Sequence, residues 1–91
     1  APWRSIFICQ GKAAASAAFM QPSGNLTANG FSPIHQGLMA MLGGRMIPGQ
    51  GALPVYDGDE IIGAVGVSGG PPAEDEQVAL AGINHAGYNC C

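Results

Sequence analysis

A chain of 91 residues with 47% hydrophobic and 10% charged content makes one domain at most, near the lower size for a self-sufficient core. Three Lys and Arg against six Asp and Glu, a net charge of −3, exclude the basic patch that nucleic-acid binding needs. No apolar run approaches the roughly 18 residues of a membrane span, and Gln10-Gly11-Lys12 interrupts the two N-terminal apolar runs, so they do not make a signal peptide.

In chain order, residues 3–20 predict a helix. Ser5 is a candidate cap, and Ile6, Cys9, Ala13, Ala17 and Met20 recur at helical spacing with Ile8, Ala15 and Phe19 beside them. The alanine run favours helix and permits close approach to a sheet. Lys12 interrupts this apolar helix. It reads either as a lysine snorkelling at the flank or as a cation facing an anionic ligand. Residues 21–31 contain Pro22, Gly24 and Gly30 and predict a loop.

Ser32-Pro33 then supplies a cap and a first-turn proline for a short helix through about Leu42, closed by Gly43-Gly44. Ile34, Leu38, Met41 and Leu42 form its expected buried stripe. His35 and Met39 lie one turn apart on a neighbouring face, a spacing open to ligation of a haem iron. A surface histidine and gap-filling methionines, Met20, Met39, Met41 and Met46 alike, are the plainer reading.

Residues 45–51, Arg-Met-Ile-Pro-Gly-Gln-Gly, form a glycine-rich loop. It lacks the lysine and hydroxyl residue of a phosphate-binding loop and opens no helix. Gly49 and Gly51 therefore read as points of close backbone approach. Strands are predicted over 53–56 and 60–67, joined at Asp57-Gly58 by a type I′ turn. The second strand places Ile61, Gly63, Val65 and Val67 on one face and Ile62, Ala64 and Gly66 on the other. Neither face is polar, which predicts cover on both sides or close packing over the glycines.

Ser68-Gly69-Gly70-Pro71-Pro72 leads into a last helix over about 73–85. Its early acids, Glu74, Asp75 and Glu76, suit the helix dipole, while Asp75 can also serve as a pocket carboxylate. Val78, Ala81 and His85 share a face, with Leu80 and Ile83 flanking. Three cysteines, Cys9, Cys90 and Cys91, show no metal-site spacing, so no metal centre is expected. Cys9 reads as a small buried hydrophobe and the terminal pair as free thiols at a fraying end. That usage points to a reducing compartment, with a cytoplasmic location as the expectation.

The segments Pro48-Gly49-Gln50-Gly51-Ala52-Leu53-Pro54-Val55, Asp57-Gly58, residues 62–70 (Ile-Gly-Ala-Val-Gly-Val-Ser-Gly-Gly) and Asp75-Glu76, with Ser5 and Gly11-Lys12-Ala13, together resemble the GlcG/HbpS-like family. That family includes haem-binding proteins and the C-terminal domain of PduO-type corrinoid adenosyltransferases. Ala52 stands where the family usually has another glycine. The resemblance implies an α+β fold, an antiparallel sheet flanked by helices. Residues 1–91 would be the C-terminal two-thirds of one such domain. Since an isolated hairpin is marginal in water, part of the sheet is expected from a companion N-terminal chain or precursor fragment, within an oligomer. Ala1 carries no hydroxyl or thiol, so an N-terminal nucleophile mechanism is not supported.

The resemblance further implies a small-ligand-binding module for haem, another tetrapyrrole or a small organic acid. Lys12 would meet a carboxylate. Met46 and Leu53 would cover the ligand beside Pro48, Gly49 and Gly51, with His35 nearby and Ser68, Gly69 and Gly70 as the floor. The alternative is a metal-independent enzyme subunit acting on a small acid, with Lys12 and Asp75 transferring protons, assisted by Arg4 or His35. A subunit that only completes an assembly is a third reading.

Overall fold

The computed structural model describes residues 3–28 and 32–90, with backbone alone at 27 and 28. Ala1, Gly30, Phe31 and Cys91 lie outside the described residues. The element order is α1 (Arg4–Phe19), α2 (Ser23–Ala28), α3 (Pro33–Met41), β1 (Ala52–Asp57), β2 (Glu60–Gly66) and α4 (Pro72–His85). The architecture is α+β, with a two-stranded antiparallel sheet and helices.

Helix α1 forms where expected, but Ser5 lies inside it, and Trp3 at the cap position supplies no side-chain cap. Its buried residues are Gly11, Lys12, Ala15 and Ser16, whereas Ile6, Phe7 and Met20 are exposed. The buried face is thus the small-residue face, because the sheet comes close there. A Cβ on Gly66 of β2 would collide with the Cys9 carbonyl oxygen and lie 3.1 Å from Ala13 Cβ. Glycine at 66 lets a helix backbone rest on a strand backbone. Gly11 does the same for the loop. A Cβ there would lie 2.6 Å from Ile47 Cδ1, and the Gly11 carbonyl accepts a 3.0 Å hydrogen bond from Ile47 N–H. Cys9 is half-buried, its thiol donating to Ile6 O at 3.2 Å.

The stretch predicted as loop contains α2, a single buried anchor with Ser23 and Leu26 inside. Pro22 and Gly24 mark its first turn and do not prevent it. Helix α3 starts as read, with Ser32 Oγ accepting from His35 N–H at 3.3 Å. Its expected buried stripe is not buried: Ile34 is 81% and Met41 86% exposed, and α3 has no buried residue. Leu38 and Met39 pack against the cluster of Ala15, Leu26 and Met46.

The hairpin register pairs Leu53 with Val65, Val55 with Gly63, Tyr56 with Ile61 and Asp57 with Glu60. The turn residues are therefore Gly58 and Asp59, one place later than expected. Gly58 has φ +64° while Asp59 has no positive φ, the sign pattern of a type II′ turn, which needs glycine only at its first central position. The register shifts between Val55 and Tyr56, so one extra β2 residue bulges and the simple alternation of faces fails there. Beyond the bulge, Leu53 and Val55 pack with Ala79 and Ile83 of α4, while Gly66 meets α1. One sheet face thus carries α4 and the other α1.

In α4 the buried positions are Asp75, Ala79 and Ile83, spaced by four. Val78, Ala81 and His85, which share a neighbouring face, are exposed. After α4 the chain turns back, and Asn89 exchanges two backbone hydrogen bonds with Tyr56, at 2.7 and 3.1 Å. Cys90 packs half-buried against the Leu53 cluster and is disulfide-bonded, which corrects the free thiol expected there. Among the described residues, no helix is long and apolar enough to cross a membrane.

Candidate functional site

The residues that α1, the loop after α3, the β2 exit and α4 bring to one point are Lys12, Gly51, Val67, Gly70 and Asp75. Lys12 is 8% exposed, so its ammonium needs partners inside. It donates to the Val67 carbonyl at 3.2 Å and lies 3.8 Å from Asp75 Oδ2. Asp75 Oδ1 accepts from Gly70 N–H at 3.1 Å, while Oδ2 is buried with no hydrogen-bond donor. Gly51, at φ +140°, leaves the space for this knot: a Cβ there would lie 2.7 Å from both Lys12 Nζ and Val67 O. A 3.0 Å approach of Asp75 Oδ1 to the Cβ position of Gly70 repeats the pattern at the other end.

Ser23 fixes the loop from the far side. Its hydroxyl is fully buried, donates to the Gly49 carbonyl and accepts from Ala52 N–H at 3.0 Å. The 45–51 loop is therefore clamped between Lys12 and Ser23. Two grooves flank it. One, of about 530 Å³, is lined by Phe7, Gln10, Gly11, Ala14, Gly44, Arg45 and Ile47. The other, of about 670 Å³, has Pro22, Gly24, Asn25, Pro48, Gly49, Gln50, Pro72 and Glu76 in its walls. Both fall within the usual range of about 300–1,000 Å³ for small-ligand sites.

Of the residues singled out from the sequence, the structure gathers Lys12, Gly49, Gly51, Gly70 and Asp75 around the knot, with Ser68 half-buried and Gly69 exposed at the β2 exit. Pro48 and Gly49 line the second groove. Met46 and Leu53 sit elsewhere, in two separate cores: Met46 with Ala15 and Leu26, Leu53 with Val55, Ala79 and Ile83. His35 stands edge-on to Phe19, ring centroids 4.4 Å apart. Phe19 is seven residues, or about 10 Å of helix rise, beyond Lys12. Sequence reasoning missed Ser23, hidden by the prolines and glycines around it, and the groove residues Phe7, Arg45 and Ile47. An arginine opening a glycine-rich loop was the one available signal.

The match to known families now has a structural frame. The family described as haem degrading protein HbpS-like matches residues 1–84. This chain belongs to the HbpS-like family. A crystal structure of a PduOC–heme complex superposes with a TM-score of 0.68 at 25% identity, over 89% of this chain and 58% of that one. The crystal structure of Klebsiella pneumoniae protein ORFY gives 0.70 at 32% identity, over 85% and 54%. The chain thus spans little more than half the length of these solved relatives. A comparison with curated proteins yields no match.

Haem is the group these HbpS-like relatives bring into view, and the grooves fit it in part. Apolar walls and Arg45 suit a ring edge and a carboxylate. Among the described residues lining the two grooves, none carries an imidazole, thiol or thioether, so none of them offers a histidine, cysteine or methionine ligand to iron. Among the described residues no group of three or more His, Cys, Asp and Glu is placed to hold a metal ion.

Proposed function

We propose that this chain is a small-ligand-binding module of the haem-binding GlcG/HbpS type, completed by a companion polypeptide within an oligomer. The observation that carries this reading is the groove between α1 and the clamped loop: Phe7, Ala14 and Ile47 offer an apolar wall, and Arg45 stands at its edge. A ligand with a flat apolar body and a peripheral carboxylate matches that pairing, because guanidinium binds carboxylate in a fork. A tetrapyrrole has this form. Lys12 is not the cation that greets the ligand, since its charge is already held by Asp75 and Val67 O. It holds the loop that shapes the groove. Haemin titrated into the natively isolated assembly should shift its Soret band, and Arg45→Gln should weaken binding about tenfold, the scale of one lost charge-assisted contact. An unshifted band refutes the tetrapyrrole reading.

A second reading, a metal-independent enzyme acting on a small acid, draws on one observation: Asp75 Oδ2 is buried and has no hydrogen-bond donor. A substrate proton could complete it, with Lys12 as the proton-transfer partner. In that case Lys12→Met abolishes turnover of a small-acid substrate at temperatures where the variant is still folded. Loss of stability alone removes the enzyme reading.

A further inference from the structure

The second groove, between α2, the clamped loop and α4, runs on into a smaller hollow of about 200 Å³ beside Leu53, Leu80 and Cys90. Pro22 and Glu76 stand in the walls of both spaces. Together they form one trough with a polar half and an apolar end. Its walls are built in advance. A Cβ on Gly24 would come within 3.2 Å of Gln50 Cβ, so α2 lies directly on the loop, and Ser23 ties the same two segments through Gly49 and Ala52. Pro22, Pro48 and Pro72 stiffen three of the segments that meet there. A trough fixed before its ligand arrives loses little on binding.

Among the described residues lining the trough, Glu76 is the one charged side chain. It is half-buried and has neither an ion pair nor a hydrogen bond within the described residues. Lys12 is held by Asp75, and Arg45 lines the other groove. Glu74 and Asp75 occupy the first turn of α4, where the helix dipole favours acids, but Glu76 lies past that turn. The dipole therefore does not account for a carboxylate at this place. Asn25 and Gln50 bring two carboxamides to the same walls, and their oxygens are further acceptors.

We propose that this trough binds a small organic cation, an ammonium carried on an aromatic ring or a short alkyl chain. The ammonium sits at Glu76, and the apolar part lies over Leu53 and Leu80. An ammonium has three N–H donors, which suits one carboxylate with carboxamide oxygens beside it. A cavity of about 150 Å³ accommodates benzene, so the apolar end has room for one ring. With no Lys or Arg in these walls, a carboxylate finds no partner. The two grooves thus sort ligands by charge, anions at Arg45 and cations at Glu76, and the second site stands whatever the first one holds.

The test is calorimetric titration of the natively isolated assembly with three probes of one shape: 2-phenylethylamine, the neutral 2-phenylethanol and the anionic 3-phenylpropionate. The amine should bind about tenfold more tightly than the alcohol, the scale of one charge-assisted hydrogen bond, and the acid should bind most weakly. Glu76→Gln should remove the amine's advantage over the alcohol while circular dichroism shows the fold intact. Glu74→Gln, an exposed acid of the same turn that does not line the trough, should leave that advantage in place. Leu80→Ser should weaken amine and alcohol alike. No binding of the amine, equal affinities for amine and alcohol, or a loss from Glu74→Gln as large as that from Glu76→Gln overturns the proposal.

Discussion

Asp75→Asn, paired with Lys12→Met, tests whether the buried ion pair holds the site together. At 3.8 Å, two unit charges in an effective dielectric near 20 attract by about 4 kcal/mol. Both side chains are at most 10% exposed, so solvent screening removes little of this. Asparagine keeps the shape and can still accept from Gly70 N–H, but it leaves the lysine charge buried beside a neutral amide. Removing one member of a buried pair costs about 3–5 kcal/mol, a large part of the roughly 5–15 kcal/mol a domain has. At about 4–8 °C per kcal/mol for a domain of this size, Asp75→Asn should lower the melting temperature of the assembly by roughly 12 °C or more. Lys12→Met should act similarly. The double variant should recover at least about 1 kcal/mol of the summed losses, since contacting groups are not additive. Thermal melts followed by circular dichroism read all four forms. A single Asp75→Asn loss below about 0.5 kcal/mol, or losses that simply add, would mean that the pair is incidental and that the loop is held otherwise.

The glycines offer a contrast within one strand. Gly66→Ala drives a methyl into the backbone of α1 and should cost about 1–3 kcal/mol, the range for overpacking. Gly63→Ala enters open space and should not destabilise the isolated hairpin side of the fold in urea titrations. Ser23→Ala strips Ala52 N–H and the Gly49 carbonyl of their buried partner; a loss of about 1–3 kcal/mol is expected, with faster exchange at the Ala52 amide. Ile34→Ser and Met41→Ser, at positions 81% and 86% exposed, should each change stability by less than about 0.5 kcal/mol, whereas an effect above 1 kcal/mol would place them under a partner.

Local chemistry was legible in the chain itself. Ser32-Pro33 starts a helix because a hydroxyl cap and a missing N–H both suit a first turn. The Val-Tyr-Asp-Gly-Asp-Glu run makes a hairpin because glycine alone accepts the reversed backbone at low cost. The alanine run with Ala13 and the strand glycine Gly66 announced close packing by having almost nothing to pack. The α+β class and the HbpS-like kinship followed from such segments.

Tertiary structure alone decided which face of each helix turned inward. Ile34 and Met41 have the right period and chemistry for burial, yet α3 meets no described surface that would cover them. In α4 it is Ala79 and Ile83 that pack on Leu53 and Val55, while Val78 stays exposed. Lys12 could be read from the sequence as a snorkelling flank or a ligand's counter-ion, and only the fold brought Asp75, 63 positions later in the chain, to 3.8 Å from its ammonium. Ser23 became a clamp only when the Gly49–Ala52 backbone folded onto it. Periodicity and propensity report what a segment can bury, but the choice among its faces belongs to whichever distant residues arrive to complete the contact.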